Sequence, residues 1–306
     1  MIKKTFLIFV ATLLSGCLMN GQPDQKDFPV LEGSYLGQKP PGKTPEIFPP
    51  ISLQADKTWF WHGSPSFSPD GNEIYFVKYI KDKNLTEIYR MKKEGQIWAA
   101  PEKAFFSKAE YRDNNPFFLG PQTLLFYSNR FGSSICRIEK IDDPGSQPFA
   151  LALPVPAGKI LGKQFSVTKG GSIYVELWNN DDSDADIYCC KPADGKYAVC
   201  EKMSGNVNST AYDFNPFIDS EEKILIFSSQ RPGGFGKTDM YVSFRNADGT
   251  WTQAVNLGPR FNSAAEESFP MITPDGKYFF FCREGELGFN PYWVDAKIIE
   301  EQRPKE

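Results

Sequence analysis

The chain has 306 residues, with 34 Lys and Arg against 38 Asp and Glu, a single His and 26 Phe. That length suits one large all-β or α/β domain or two small ones. The net charge of −4 gives no basic footprint for nucleic acid, and one His argues against a multi-His metal centre. His62 is left as the only candidate base for a Ser-His-Asp or Cys-His mechanism.

At the N-terminus Lys3 and Lys4 precede an apolar run from Thr5 to Leu14, too short to cross a bilayer as a helix. Leu14-Ser15-Gly16-Cys17 follows directly and resembles the bacterial lipoprotein box. The resemblance implies a signal peptide at 1–16, lipidation at Cys17 and a membrane-anchored mature chain. Leu18 after the Cys implies the outer membrane, so the expected location is the bacterial cell envelope. Residues 17–43, rich in Pro and Gly, read as a tether, and 44–306 as the folded domain.

A repeat fills that domain. Ser64-Pro65-Ser66-Phe67-Ser68-Pro69-Asp70-Gly71 recurs as Phe269-Pro270-Met271-Ile272-Thr273-Pro274-Asp275-Gly276. Asn115-Pro116-Phe117-Phe118 and Asn215-Pro216-Phe217-Ile218 repeat its first half, and Gln164-Phe165-Ser166-Val167 is a degenerate copy. The anchors at 65, 116, 164, 216 and 270 are spaced by 51, 48, 52 and 54 residues. Each unit reads as a short apolar strand, a turn and a wholly apolar strand. A third strand follows about ten residues on (Ile88-Tyr89-Arg90, Ile135-Cys136-Arg137, Ile187-Tyr188-Cys189, Met240-Tyr241-Val242, Tyr292-Trp293-Val294). A fourth is expected at Gln96-Ile97-Trp98, Tyr197-Ala198-Val199 and Trp251-Thr252-Gln253. Helical periodicity is absent except in the last dozen residues. Four antiparallel strands every fifty residues predict an all-β fold, a β-propeller whose blades stack to cover both apolar faces. Five blades are counted and six are possible. The fifth unit is one strand short, so a strand from 44–60 is expected to close the ring.

Five Cys remain besides Cys17. A two-residue turn at Asp194-Gly195 places Cys189 opposite Cys200, so a Cys189–Cys200 disulfide is expected.

Ser228-Ser229-Gln230-Arg231-Pro232-Gly233-Gly234-Phe235-Gly236-Lys237-Thr238-Asp239, with Val255-Asn256-Leu257-Gly258 and Glu267-Ser268-Phe269-Pro270, resembles the WD40-like repeat of TolB-type propellers. The resemblance covers about 62–297. It implies a propeller in the envelope and no particular reaction.

Three residues before each anchor stand His62, Asp113, Leu161, Asp213 and Glu267, expected to ring one mouth of the central channel. Arg130, Arg231 and Arg283 occupy matching loops on that face, with Trp178 and Asn179 in the third unit. Either each acid pairs with an Arg of a neighbouring blade and locks the ring, or the set is a polar funnel for a ligand. Acid–base or metal chemistry needs a free carboxylate pair beside His62. The acidic loop 179–186 offers oxygen ligands for Ca²⁺ but lacks an EF-hand's Gly and Glu. Trp59, Phe60 and Trp61 suit sugar stacking or rim packing. There is no nucleophile elbow, P-loop or dinucleotide fingerprint. The sequence therefore predicts a non-enzymatic envelope lipoprotein that binds a protein or a cell-wall or carbohydrate ligand at the channel mouth, without cofactor. The alternative is a glycosidase or lyase using carboxylates there.

Overall fold

The computed structural model describes residues 28–304. The expected signal peptide, Cys17 and the first part of the tether lie outside them. The described residues form an all-β propeller, with five antiparallel sheets, two short 3-10 turns and one short α-helix, Lys297–Glu300.

The second sheet runs Asp113–Gly120, Thr123–Ser128, Ser134–Glu139 and Phe149–Ala150 from the channel outward. The third runs Lys159–Val167, Ile173–Asn179, Ala185–Ala193 and Lys196–Lys202. The fourth runs Asp213–Ile218, Ile224–Ser229, Asp239–Phe244 and Val255–Asn256. The fifth takes three strands from the end of the repeat, Glu267–Ile272, Tyr278–Gly285 and Gly288–Asp295. Its outer strand is Glu46–Ile47, which pairs with Trp293 and Tyr292.

The first sheet is larger. Its inner strand is broken into Trp59–Trp61 and Ser66–Phe67, both paired with Glu73–Ile80. Leu85–Glu94 follows, then a hairpin strand Ile97–Trp98, and the outer edge is Glu102–Lys103. The fourth strand expected at 96–98 is thus a hairpin extension. In the fourth sheet Trp251 makes only an isolated bridge, with Arg245, and the edge strand comes four residues later. The apolar signal of Trp98 and Trp251 marks packing rather than edge position, since both are buried.

Five apolar clusters fill the gaps between consecutive sheets, each built from two facing sheets. Phe280 and Trp293 of the fifth sheet share one with Trp61 and Phe76 of the first. A sheet with apolar residues on both faces needs a neighbour on each side, and a ring supplies both.

The repeated turn is held by its own side chains. Ser68 Oγ donates to Asp70 Oδ1 (2.6 Å) and accepts from the Glu73 N–H (2.8 Å). Thr273, Asp275 and Tyr278 repeat the arrangement. The Ser68 hydroxyl and the Asn72 N–H hold Asp70 below the usual carboxylate range.

The tether expected at 17–43 is corrected over its second half. Leu31–Glu32 pairs with Trp98 and Ile97, and Trp98 Nε1 donates to Gly33 O (2.7 Å). Leu36 is buried, and Tyr35 packs on Phe67, Tyr278 and Trp293. Pro and Gly dominate the composition there, but three apolar side chains suffice to dock the segment.

The expected Cys189–Cys200 bridge is also corrected: Cys190 and Cys200 form the disulfide, and Cys189 is a buried free thiol. The hairpin begins in the expected register, with Ala193 opposite Lys196 and Pro192 opposite Tyr197. A bulge then inserts one extra residue in the second strand, so Cys190 meets Cys200.

Candidate functional site

The inner strands carry a repeated bulge one residue before the anchor proline. Asn115 (φ 46°), Asn215 (φ 51°) and Phe269 (φ 61°) are left-handed there, and the ladder shifts register across each. Asn tolerates this conformation better than other residues with a Cβ, and the following Pro has no N–H to leave unpaired. The bulges turn side chains and carbonyls toward the channel, where the five inner strands are fastened together. Ser64 Oγ donates to Phe269 O (2.5 Å), Asn115 Nδ2 to Phe165 O (2.7 Å) and Ser166 Oγ to Pro216 O (3.1 Å). The space left between them is about 20 Å³, enough for one water, so the neck is a plug rather than a tunnel.

Asp113, Asp213 and Glu267 begin their inner strands, at the mouth-side end, and all three are buried. Arg130 Nη2 donates to Asp113 (2.9 Å), Arg231 Nη2 to Asp213 (2.6 Å) and Arg283 Nε to Glu267 (2.7 Å). Each pair lies within one sheet, which corrects the expected pairing between neighbouring blades. The register explains it: each acid sits opposite the end of its own sheet's second strand, with Asp213 facing Ser229 and Glu267 facing Arg283.

The link between sheets runs through the crossover loop. Arg130, Arg231 and Arg283 also donate from Nη2 to Phe106 O (3.0 Å), Val207 O (2.7 Å) and Phe261 O (2.9 Å). The next residue of each loop, Ser107, Asn208 or Asn262, accepts from an N–H of the preceding sheet's third strand. Ser209 Oγ donates to the other carboxylate oxygen of Asp213, and the Ser263 N–H donates to the other one of Glu267. Burial pushes Asp113 up despite Arg130 beside it. These six residues brace the sheets, and none of the three carboxylates is left unpaired.

His62 has a different fate. It stands at the break in the first inner strand, where its N–H donates to Val77 O (3.0 Å). Its ring packs against Phe269 (5.4 Å), Tyr79 (6.0 Å) and Phe60 (6.4 Å), and Phe60 stacks on Tyr79 (4.7 Å). Burial, with the charge of Lys163, holds the imidazole down to about 4, so it is neutral at pH 7. Nδ1 is buried without a hydrogen-bond partner.

Two mouth residues, Lys163 and Glu176, had no sequence signal strong enough to single them out. Lys163 takes the place in the third inner strand that Asn115, Asn215 and Phe269 hold in theirs. Burial, with the nearby Arg112 charge, pushes its ammonium below the ordinary Lys range. Glu176 is buried beneath it, accepting from the N–H groups of Lys163 (2.9 Å), Gln164 (3.3 Å) and Asn215 (2.7 Å). Burial raises this carboxyl. Trp178 packs against Tyr212 (5.6 Å) and Phe214 (5.9 Å).

Of the remaining candidates, Trp61 is core, its Nε1 donating to Leu53 O (2.7 Å). In the acidic loop, Asp186 pairs with Lys202 (2.6 Å), and Asp181 accepts from Ser183 (2.6 Å). Among the described residues no three His, Cys, Asp or Glu side chains converge as a metal site.

No family model matches the chain, and no curated protein does. Among solved structures it is similar to the endo-arabinase from Bacteroides thetaiotaomicron VPI-5482 (TM-score 0.53, 15% identity, 79% of this chain and 96% of that one). It is also similar to the β-propeller domain of the Trilobed protease from Pyrococcus furiosus (TM-score 0.42, 12% identity, 76% and 80%). A third is an oligogalacturonate lyase in complex with manganese (TM-score 0.44, 11% identity, 80% and 68%). Likeness at such identities concerns the propeller fold alone.

Proposed function

We propose that this chain is an envelope lipoprotein, anchored through Cys17 in the bacterial outer membrane, whose propeller binds carbohydrate without turning it over. We read the propeller as TolB-like, with five blades and the last completed by the N-terminal strand. Five sheets, five inter-sheet cores and the pairing of Glu46–Ile47 with Tyr292 and Trp293 support that count.

The observation that carries the reading is the division of labour at the mouth. Asp113, Asp213 and Glu267 are consumed by Arg130, Arg231 and Arg283, so none of these three acids is free for acid–base chemistry. Aromatic rings remain half-exposed at the same end, Trp178 and Tyr212 on one side and Phe60 and Phe289 on the other. Flat rings with a polar edge suit the faces and hydroxyls of sugars.

The test is binding of the lipid-free chain to an array of cell-wall and matrix glycans, repeated with Trp178→Ala. Binding that falls with the substitution is expected. Release of shortened glycan would overturn the non-enzymatic part, and a bound protein in place of glycan would overturn the ligand class.

A further inference from the structure

We propose that a groove beside the second sheet binds a small aromatic carboxylate, its ring against Phe105, Tyr111 and Phe131 and its carboxylate against Arg130 and Lys108. The groove lies between the crossover loop 104–112, the turn 129–133 and the loop 140–148. It holds about 330 Å³, the size of a small-molecule pocket. Trp178 and the glycan reading above play no part in it.

The rings are a departure from the repeat. The carbonyls of Phe106, Val207 and Phe261, each taken by an Arg, align the crossover loops of the three sheets that carry an acid–Arg pair. The residue before each carbonyl is Phe105, Asn206 or Arg260. The residue two before each acid is Tyr111, Ala211 or Ala265, and the residue after each Arg is Phe131, Pro232 or Glu284. All three positions are aromatic in the second sheet alone. The same brace forms in all three sheets, so bracing does not require these rings. Core filling does not require two of them either. Tyr111 is half-buried and Phe131 is 54% exposed, and both stand outside the five apolar clusters.

Arg130 supplies an independent observation. Its side chain is 8% exposed, lies over the Tyr111 ring (4.9 Å) and forms part of the groove wall. Nε donates to Ser128, and Nη2 to Asp113 and Phe106 O. Among the described residues Nη1 has no acceptor, and a donor left so costs free energy that an incoming oxygen recovers. Lys108 is the other charged residue of the wall, exposed and without an ion pair among the described residues. None of the lining side chains is acidic. Of the acids around the groove, Asp113 is held by Arg130, Asp142 by Lys92 and Arg90, and Glu139 by Arg137. Glu110 and Asp143 are exposed and outside the wall, as is Arg112. Arg130 with Asp113 is neutral, so Lys108 leaves the wall one positive charge, which one carboxylate balances. The aromatic walls then suit a flat apolar body.

The experiment is calorimetric titration of the intact protein with phenylacetate, its neutral amide phenylacetamide, and acetate. The wild type is expected to bind one phenylacetate, with phenylacetamide and acetate each weaker by roughly tenfold or more. Lys108→Gln and Phe131→Ala should each weaken phenylacetate roughly tenfold, since each removes one of the two features that the ligand meets. Both side chains are exposed, so the variants fold, and thermal melts at the wild-type temperature separate lost binding from lost folding. No heat at millimolar phenylacetate would overturn the proposal. The amide binding as tightly as the acid would remove the charge selection, and acetate binding as tightly as phenylacetate would remove the aromatic platform; either result overturns it. Unchanged affinity in both variants would place the ligand elsewhere and overturn it too.

Discussion

Glu176 of the third sheet accepts from both the backbone N–H (2.7 Å) and the side-chain amide (3.2 Å) of Asn215 in the fourth. The same carboxylate closes the bulge of its own inner strand, so one side chain ties two sheets at the channel. Gly162 makes room for it, because a Cβ there would fall on Glu176 Cγ. Gly162→Ala should therefore expel the carboxylate and strand three backbone N–H groups, costing about 3 kcal/mol. Glu176→Ala should cost a similar amount, read from denaturant unfolding. A change under 0.5 kcal/mol in both would show that water replaces the carboxylate freely.

Removing one member of a buried ion pair leaves its partner desolvated and alone. Asp213→Ala should cost about 3–5 kcal/mol, because Arg231 then loses its anion while still held against Val207 O. The double variant Asp213→Ala with Arg231→Met should be more stable than Asp213→Ala alone. A fully additive double-mutant cycle would show that the two side chains do not act as a unit.

The imidazole of His62 should titrate near 4, and with one His in the chain its signal needs no assignment. Its folded value lies below the unfolded one of about 6.5. Stability from keeping it neutral is thus complete above pH 6.5 and is lost as pH falls through about 4. His62→Phe should flatten that part of the melting-temperature profile. A midpoint above 6 by NMR would mean that the ring is solvated.

Alkylation before and after reduction, followed by peptide mapping, should link Cys190 to Cys200 and find Cys189 as an unmodified buried thiol. Burial pushes the Cys189 thiol up to about 11, which keeps it unreactive at neutral pH. Cys200→Ser should cost about 2–3 kcal/mol, the closure entropy of a loop of this size.

Periodicity carried the fold into view: the Pro-anchored inner strands and Pro-Asp-Gly turns repeat because every blade meets the same neighbours. The acid and Arg positions were legible for the same reason, since Asp113, Asp213 and Glu267 share one phase with their Arg partners. What stayed hidden depended on single-residue departures from the period. A bulge moved the disulfide by one residue, and left-handed backbone at Asn115 and Asn215 turned polar groups into the neck. Lys163 stands out only when seen as the odd member of a set of Asn and Phe. The docking of 28–43 was masked by composition, because Tyr35 and Leu36 are two side chains among many Pro and Gly.

That docked segment has a mechanical side. The sheet holding Tyr292 and Trp293 ends in a strand donated from 46–47, and the chain before it runs back across the first sheet. A pull applied at residue 28 reaches Leu31–Glu32 first, two residues paired with Trp98 and Ile97, and only then the strand at 46–47. Load would be shed by peeling a short zipper before it reached the strand that joins both ends of the chain. The pairing at 31–32 is thus the first piece that tension applied at residue 28 would meet, ahead of the strand that completes the fifth sheet.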